Sequence, residues 1–316
     1  MKTVVDIFSG FLGAGKTMLI KKLLSENAYS SNTVIIENEF GEVSIDGAIL
    51  KESNLKIKEI NAGCICCQVS GNFGDSVLEV LKKYEPDNII IEPSGVAKLS
   101  EVIKILDQIK FIDKIEVRNI FALIDINNYK LYLENFKEFY IDQIKYANKI
   151  VMSRTQSADE NLINEVKMNL EKLNSNAMIF SKSWDNLKKD DFMKKTQFNK
   201  EDNKMNLITK KNVKTFRKEI MKKHNADDLF ESYPINISNF MSAKEVEHKF
   251  NFISTNNKYG NIIRAKGIIK DVAGIYYQFD YVPNEFKIRK IKWSSKKVIS
   301  IIGSELNKKE LSDLFK

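Results

Sequence analysis

The first half of the chain alternates short apolar runs with segments of helical spacing. Seven apolar runs have the length of buried strands, at 3–8, 33–37, 55–60, 88–92, 119–126, 149–153 and 177–181. Between them, apolar residues recur every three or four positions, which predicts helices from residue 16 and at 74–84, 100–109, 136–147 and 161–173. Short strands separated by helices predict an α/β domain over residues 1–184, with a mostly parallel sheet covered by helices on both faces.

The pattern changes in the second half of the chain. Residues 185–230 are rich in lysine and predict a linker followed by a charged helix. Beyond them, strands are predicted at 233–238, 261–270, 274–282, 287–293 and 297–302, with helices at 242–250 and 307–315. Residues 231–316 therefore predict a smaller C-terminal α+β domain with an antiparallel sheet.

Composition is that of a globular protein. The 316 residues are 43% hydrophobic and 29% charged. A membrane span needs about 18 or more consecutive apolar residues, and the sequence has no such run. The N-terminal residues enter a strand directly and lack the pattern of a secretory signal. Together with cysteines outside any disulfide framework, these features predict a protein of the reducing cytoplasm.

The charge is unevenly distributed. Residues 1–184 hold 22 basic and 25 acidic side chains, whereas residues 185–316 hold 28 and 17. A basic segment can bind nucleic acid or an acidic partner. Here acids interrupt the lysines and no aromatic stacking pattern accompanies them, so the segment favours a solvated surface over a nucleic-acid site.

The segment SGFLGAGKT fits the pattern G-x-x-x-x-G-K-[ST] between a predicted strand and a predicted helix. Such a loop turns successive backbone N–H groups toward phosphate oxygens at the positive end of a helix dipole. Lys16 would contact the β- and γ-phosphates, and the Thr17 hydroxyl would ligate Mg²⁺. The predicted nucleotide contacts are Gly10, Gly13, Ala14, Gly15, Lys16 and Thr17.

A second loop, EPSG, follows the predicted strand at 88–92. We expect Glu92 to join the Mg²⁺ shell or to orient the attacking water. Gly95 can offer a backbone N–H to the γ-phosphate. Lys16, Glu92 and Gly95 are therefore the predicted catalytic residues, and this loop is a predicted switch.

All three cysteines of the chain, Cys64, Cys66 and Cys67, lie in the segment NAGCICCQV. An odd number of closely spaced cysteines is a poor disulfide framework. Three thiolates favour Zn²⁺, Co²⁺ or Cu(I) over Mg²⁺, and they leave one tetrahedral position open. Ordinary packing of small apolar side chains and redox sensing remain alternatives.

The segment IENEFGEVSID is an acidic, glycine-interrupted loop between the phosphate loop and the cysteines. Its acids are Glu37, Glu39, Glu42 and Asp46, which could equally be solvated surface residues. A loop at this position can reach both the nucleotide and the cysteines. Glu37 and Glu42 are therefore candidate carboxylate ligands for the soft metal.

The segments GFLGAGKT, ENEFGEVSID, GCICC and EPSG together resemble those of the CobW family of P-loop GTPases, relatives of the nickel-insertion GTPases of hydrogenase and urease maturation. The resemblance extends through RAKG at 264–267 to the closing IIGSELNKKELSDLF. It implies Mg·GTP binding, slow GTP hydrolysis, and delivery of Zn²⁺ or Co²⁺ to a client metalloprotein or a cobalamin or other metal-cofactor pathway, and it allows a homodimer.

The chain departs from the family where members usually carry N-K-x-D, because residues 153–156 are SRTQ. An aspartate accepts from guanine N1–H and from the exocyclic amine, whereas Gln156 offers one acceptor oxygen. Arg154 can stack on a base, and Ser153 opens the segment. We expect GTP to be preferred over ATP by a reduced margin, with backbone groups near 181–183 reading the guanine O6.

Three functions fit these observations. The leading interpretation is a nucleotide-gated metallochaperone with weak GTPase activity. A nucleotide-dependent scaffold would instead dock a client through the basic C-terminal half, with a structural metal. A P-loop kinase of a small substrate is the third, although the sequence shows no cluster of lid arginines. Metal affinity that depends on the nucleotide would distinguish the first.

Overall fold

A computed structural model describes residues 2–37, 56–59, 70–194, 229–294 and 297–315. The residues outside these ranges include Glu39, Glu42, Asp46 and the three cysteines. The predicted linker lies outside them from residue 195 to residue 228. No helix among the described residues is long and apolar enough to cross a membrane.

The first domain is built on a seven-stranded parallel sheet. Its strands are β1 (Thr3–Gly10), β2 (Thr33–Glu37), β3 (Lys56–Glu59), β4 (Asn88–Glu92), β5 (Ile115–Asp125), β6 (Lys149–Ser153) and β7 (Met178–Phe180). They lie in the order β3-β2-β4-β1-β5-β6-β7, and every pairing is parallel. The predicted parallel sheet is confirmed.

Helices cover both faces of this sheet. They are α1 (Lys16–Ser25), α2 (Ser70–Tyr84), α3 (Leu99–Leu106), α4 (Tyr129–Asn135), α5 (Lys137–Tyr146), α6 (Glu160–Leu173) and α7 (Lys189–Met193). One face of the sheet packs in a single core with apolar residues of α2 to α6. The opposite face packs against α1 and against Phe192 of α7. Helix α7, at the start of the predicted linker, therefore packs on the sheet of the first domain.

The second domain is a five-stranded antiparallel sheet with two helices. Its elements are β8 (Glu231–Asn236), α8 (Ala243–Ser254), β9 (Asn261–Lys270), β10 (Tyr276–Val282), β11 (Glu285–Ile291), β12 (Val298–Ser304) and α9 (Lys308–Phe315). The strand order is β11-β10-β9-β12-β8. Val246 and Phe250 of α8 and Leu311 of α9 share a core with one face of the sheet. The predicted α+β fold with an antiparallel sheet is confirmed.

The order of the parallel strands fixes where a site can form. Central strand β1 lies between β4 and β5, and β2 lies beyond β4. Parallel strands end at the same edge of a sheet, where α/β proteins bind their ligands. Gly10, Glu37, Glu92, Asp125 and Ser153 are the last residues of their strands and line this edge.

Candidate nucleotide site

The loop between β1 and α1 has the backbone of an anion-binding loop. Gly10, Gly13 and Gly15 have backbone φ angles of 140°, 73° and 100°. Residues with a Cβ rarely adopt these angles. Gly15 immediately precedes α1 and supplies no side-chain cap. The first N–H groups of a helix lack partners within the helix, so this end can accept phosphate oxygens.

Lys16 begins α1 and turns back over the loop. Its side chain is buried, and its Nζ donates to the carbonyl oxygen of Gly10 at 3.0 Å. Ala14, between the glycines, is also buried. The lysine is thus held along the loop that would surround the phosphates, at the position predicted from the sequence.

Thr17 and Glu92 meet beside this loop. The Thr17 hydroxyl lies 2.9 and 3.2 Å from the two carboxylate oxygens of Glu92. Glu37 is the Cα partner of Glu92 in the β2–β4 ladder, so the two carboxylates leave neighbouring strands that lie about 4.8 Å apart. Both glutamates are buried. The structure therefore brings the Thr17 hydroxyl onto the Glu92 carboxylate, with Glu37 at the end of the neighbouring strand, and such oxygen ligands suit Mg²⁺.

The loop after β4 packs tightly on the phosphate loop. A Cβ added to Gly95 would lie 2.6 Å from the backbone nitrogen of Leu12. Only glycine allows this approach of one backbone to another. Buried Gln143 of α5 fixes the same loop from behind, because its Nε2 donates to the carbonyl oxygens of Gly95 and Ala97 at 3.1 and 3.0 Å.

The segment after β6 lies on the other side of the phosphate loop. The Ser153 hydroxyl is buried and donates to the Ile124 carbonyl oxygen at 3.3 Å. Arg154 has φ of 63°, and its guanidinium donates to the Gly13 carbonyl oxygen at 3.1 Å. Gln156, in a 3₁₀ turn over Thr155–Ser157, is exposed.

Comparison with known proteins identifies the family. The model of the CobW/HypB/UreG nucleotide-binding domain matches residues 4–181, which is more than half of the chain.

The chain belongs to this family. Among curated relatives, the zinc chaperone YjiA of Escherichia coli is 31% identical over 190 residues, covering 56% of each chain. The zinc-regulated GTPase metalloprotein activator 1 of Schizosaccharomyces pombe is 27% identical over 197 residues, covering 58% of this chain and 46% of that protein. The chain thus spans about half the length of the curated relatives it matches.

Solved structures of the CobW/HypB/UreG family are also similar. The crystal structure of Zn(II)-bound YjiA GTPase from E. coli has a TM-score of 0.44 and 18% identity, covering all of this chain and 98% of that one. HypB from Archaeoglobus fulgidus has a TM-score of 0.43 and 16% identity, covering 61% of this chain and 87% of that one.

Several residues beside the nucleotide site were not predicted from the sequence. Asp125, at the end of β5, lies 3.1 Å from a guanidinium nitrogen of Arg154, and burial raises the pKa of this carboxyl although Arg154 opposes the shift. The Trp184 ring lies against Gly15, where an added Cβ would come within 2.8 Å of it. The only sequence feature that pointed to Trp184 as a site residue was its position just after β7, at the edge of the sheet where the site forms.

The residues predicted to bind the soft metal fall into two groups. Glu37 is described and lies beside Glu92, as stated above. Glu42, Cys64, Cys66 and Cys67 lie outside the described residues. Within the described ranges, no three His, Cys, Asp or Glu side chains are grouped to hold a metal ion. The soft-metal site remains a prediction from the sequence.

Proposed function

We propose that this member of the CobW/HypB/UreG family is a nucleotide-gated metallochaperone. It would bind Mg·GTP at the phosphate loop, hold Zn²⁺ or Co²⁺ through Cys64, Cys66 and Cys67, and couple slow GTP hydrolysis to release of that metal. The recipient would be a client metalloprotein or an enzyme of a metal-cofactor pathway. The names of the relatives, zinc chaperone and GTPase metalloprotein activator, support this class.

The observation that carries the proposal is the contact between Thr17 and Glu92, with Glu37 next to Glu92 in the strand ladder. The Thr17 hydroxyl and the Glu92 carboxylate, in hydrogen-bond contact beside Lys16, fit a Mg²⁺ ion that would neutralise charge on the phosphates. Lys16 would hold the β- and γ-phosphates. Glu92 would keep a water in line, and Gly95 would place its N–H at the γ-phosphate.

Glu37 offers a physical link between nucleotide and cargo metal. It ends β2, next to Glu92 on β4, and the acidic segment follows it in sequence. Strand β3 runs parallel to β2, so the chain leaves β3 at the same edge of the sheet. Cys64 comes five positions after Glu59, the last residue of β3. Five residues span at most about 18 Å, so Cys64 would be within that distance of the end of β3.

The chemistry of the cysteines suits a carrier. Zinc thiolate sites are tetrahedral, and three thiolates leave a fourth position for Glu37, Glu42, water or a client ligand. An incomplete thiolate set can pass its metal on, unlike a closed structural site. Because thiolates must lose protons to bind, metal loading should release protons.

The test is a Co²⁺ titration of the full chain, followed by thiolate charge-transfer absorption. It is performed with Mg²⁺ and a hydrolysis-resistant GTP analogue, with the ATP analogue, and without nucleotide. We expect about one Co²⁺ per chain and an affinity that changes at least about fivefold with the GTP analogue. Replacing Cys64, Cys66 and Cys67 by Ser should remove the absorption bands and leave nucleotide binding measurable.

Two controls separate the competing functions. Lys16→Ala retains the cysteines and should keep Co²⁺ binding while losing its dependence on nucleotide. The exposed Glu171→Gln on α6 should behave as the wild type. Metal affinity that is indifferent to nucleotide in the wild type would instead support a scaffold with a structural metal. Transfer of the γ-phosphate to a small substrate would indicate a kinase.

A further inference from the structure

The second domain touches the phosphate loop through the turn between β10 and β11. A Cβ added to Gly13 would lie 2.3 Å from a methyl carbon of Val282, so the valine sits directly on the glycine. On the same turn, the Pro283 carbonyl accepts from the Asn128 amide at 3.2 Å, and the Asn284 amide donates to Asn128 at 3.3 Å. The turn therefore docks on the first domain at the nucleotide site.

Phe11, inside the phosphate loop, contacts the residue that leads into the C-terminal domain. Its ring is fully buried and lies 6.0 Å from the ring of Phe230, which precedes β8, in an edge-to-face arrangement. Phe230 also packs on Phe136 and Phe139 of the first domain at 5.2 Å. The chain is thus anchored in the aromatic core of the first domain just before it enters β8, and the second domain itself rests on Gly13 through Val282.

Arg154 links the turn to the nucleotide site through ion pairs and hydrogen bonds. Its guanidinium bonds the Gly13 carbonyl, pairs with Asp125 and donates from Nε to Glu285 of β11 at 3.0 Å, with a further contact from its Nη2. Burial would raise the pKa of Glu285, but hydrogen bonds from Lys287 and Arg154 lower it, so this carboxylate is charged. The same arginine therefore contacts both the negative charge of Glu285 in the second domain and the backbone of the phosphate loop.

Binding of a triphosphate would add several negative charges at this loop. The added charge attracts Arg154 and repels Glu285, so it weakens the contact between them. We propose that Glu285 and Val282 are affinity determinants of the nucleotide site, and that their docking on Arg154 and Gly13 is displaced when Mg·GTP binds. This inference rests on the proposed function, because it requires the phosphate loop to bind a nucleotide.

Linkage makes the proposal reciprocal. If the nucleotide loosens the turn, then loosening the turn by mutation must tighten the nucleotide. Glu285→Gln removes the opposing charge and keeps the shape of the side chain. Val282→Ala weakens the contact with Gly13 without any change of charge. A gain of affinity in both variants is a result that simple damage to the fold does not produce.

The experiment measures the affinity of the full chain for a hydrolysis-resistant GTP analogue with Mg²⁺. We expect Glu285→Gln and Val282→Ala to bind about fivefold tighter than the wild type. The matched control is Glu310→Gln, which removes a half-exposed carboxylate of α9 that pairs with Lys258 of the same domain at 3.0 Å. This control should leave the affinity unchanged.

A second readout follows the turn itself. Amide hydrogen exchange at residues 282–286 should become faster when the analogue is added to the wild type, while exchange within β9 stays the same. If the nucleotide binds but neither variant gains affinity and exchange at the turn does not rise, the inference is wrong and the proposed function stands. If no nucleotide binds at all, both are wrong.

Discussion

Thr17 and Glu92, 75 residues apart in sequence, share a hydrogen bond at the carboxyl edge of the parallel sheet. The contact joins the first turn of α1 to the end of β4. Thr17 is the predicted Mg²⁺ ligand, and Glu92 is the residue expected to join the Mg²⁺ shell or to orient the attacking water.

Replacing Glu92 by Gln should slow hydrolysis and spare nucleotide binding. The amide has nearly the same shape but lacks the charge that would order the shell of Mg²⁺ and water. Loss of an outer-shell partner typically costs about 10- to 100-fold, and we expect a fall of that size in turnover at saturating Mg·GTP. Thr17→Ser keeps the hydroxyl that contacts Glu92 and should retain most of the activity. Wild-type turnover in Glu92→Gln would exclude a catalytic role for this residue.

Replacing Lys16 by Ala should abolish triphosphate binding without unfolding the protein. The side chain turns back on the loop and contacts the Gly10 carbonyl, so its charge serves the loop and not a hydrophobic core. Lys22→Ala is the matched control on the same helix, where it removes a surface pair with Glu26. Such pairs contribute about 1 kcal/mol or less. Equilibrium binding of a fluorescent nucleotide, with a thermal melt of each variant, decides the result, and unchanged binding in Lys16→Ala would contradict the phosphate-loop assignment.

The apolar runs were sufficient to predict the parallel sheet, because its strands are buried on both faces and carry continuous apolar sequence. It was insufficient for the start of β5, predicted at residue 119 and found at Ile115. There Arg118 is polar for a tertiary reason, since its guanidinium pairs with buried Asp6 of β1 at 2.6 Å. Helix α4 was also missed, although Tyr129 and Tyr132 on it are buried.

The phosphate loop and the EPSG loop could be proposed from the sequence alone because each lies in one short segment. The contact between Arg154 and Glu285 spans 131 residues and joins two domains. No local spacing encodes such a pair, and nothing in the sequence around Glu285 marks it as a partner of Arg154. The position of the second domain on the phosphate loop therefore required the three-dimensional structure.

The buried position of Lys149 predicts that the folded protein becomes more stable as the pH rises. Its side chain is fully buried, and its ammonium donates to Asn119 at 2.7 Å, to the Lys194 carbonyl at 2.8 Å and to the Phe192 carbonyl. Burial lowers the pKa of Lys149 from 10.5 to about 8, while nearby Asp6 opposes the shift. Between these values the unfolded chain binds the proton and the folded chain does not, so the free energy of unfolding increases as pH rises.

Urea denaturation measures this effect against Lys149→Met. From about pH 7 to about pH 9.5, the stability of the wild type relative to this variant should rise by up to about 2 kcal/mol. Tyr29, hydrogen-bonded to Asp6, stays protonated over this range because burial raises its pKa well above 10. Exposed Lys172→Met is the control and should show no such change. A constant difference across the range would mean that Lys149 stays charged in its buried site.

The last prediction concerns the choice of base. Gln156 is exposed and lies in the 3₁₀ turn that follows Arg154. The contact of Arg154 with the Gly13 carbonyl holds this segment against the phosphate loop. An aspartate at this position would accept two hydrogen bonds from guanine, and bonds to charged groups are worth about 1.5–3 kcal/mol each. Gln156 supplies one neutral acceptor and an amide of the wrong polarity for the second bond. We expect GTP to bind tighter than ATP, by a margin that Gln156→Asp should widen.

Competition against a fluorescent nucleotide measures that margin in the wild type and in two variants. Gln156→Asp should tighten GTP about tenfold, which corresponds to about 1.4 kcal/mol, and should leave ATP nearly unchanged, because adenine has no N1–H to donate. Ser157→Asp adds the same charge at the neighbouring exposed position and should not discriminate between the bases. If both variants lost affinity for GTP and ATP equally, the effect would be charge repulsion between the added aspartate and the phosphates. Equal affinities for GTP and ATP in the wild type would mean that guanine is not the base this site selects.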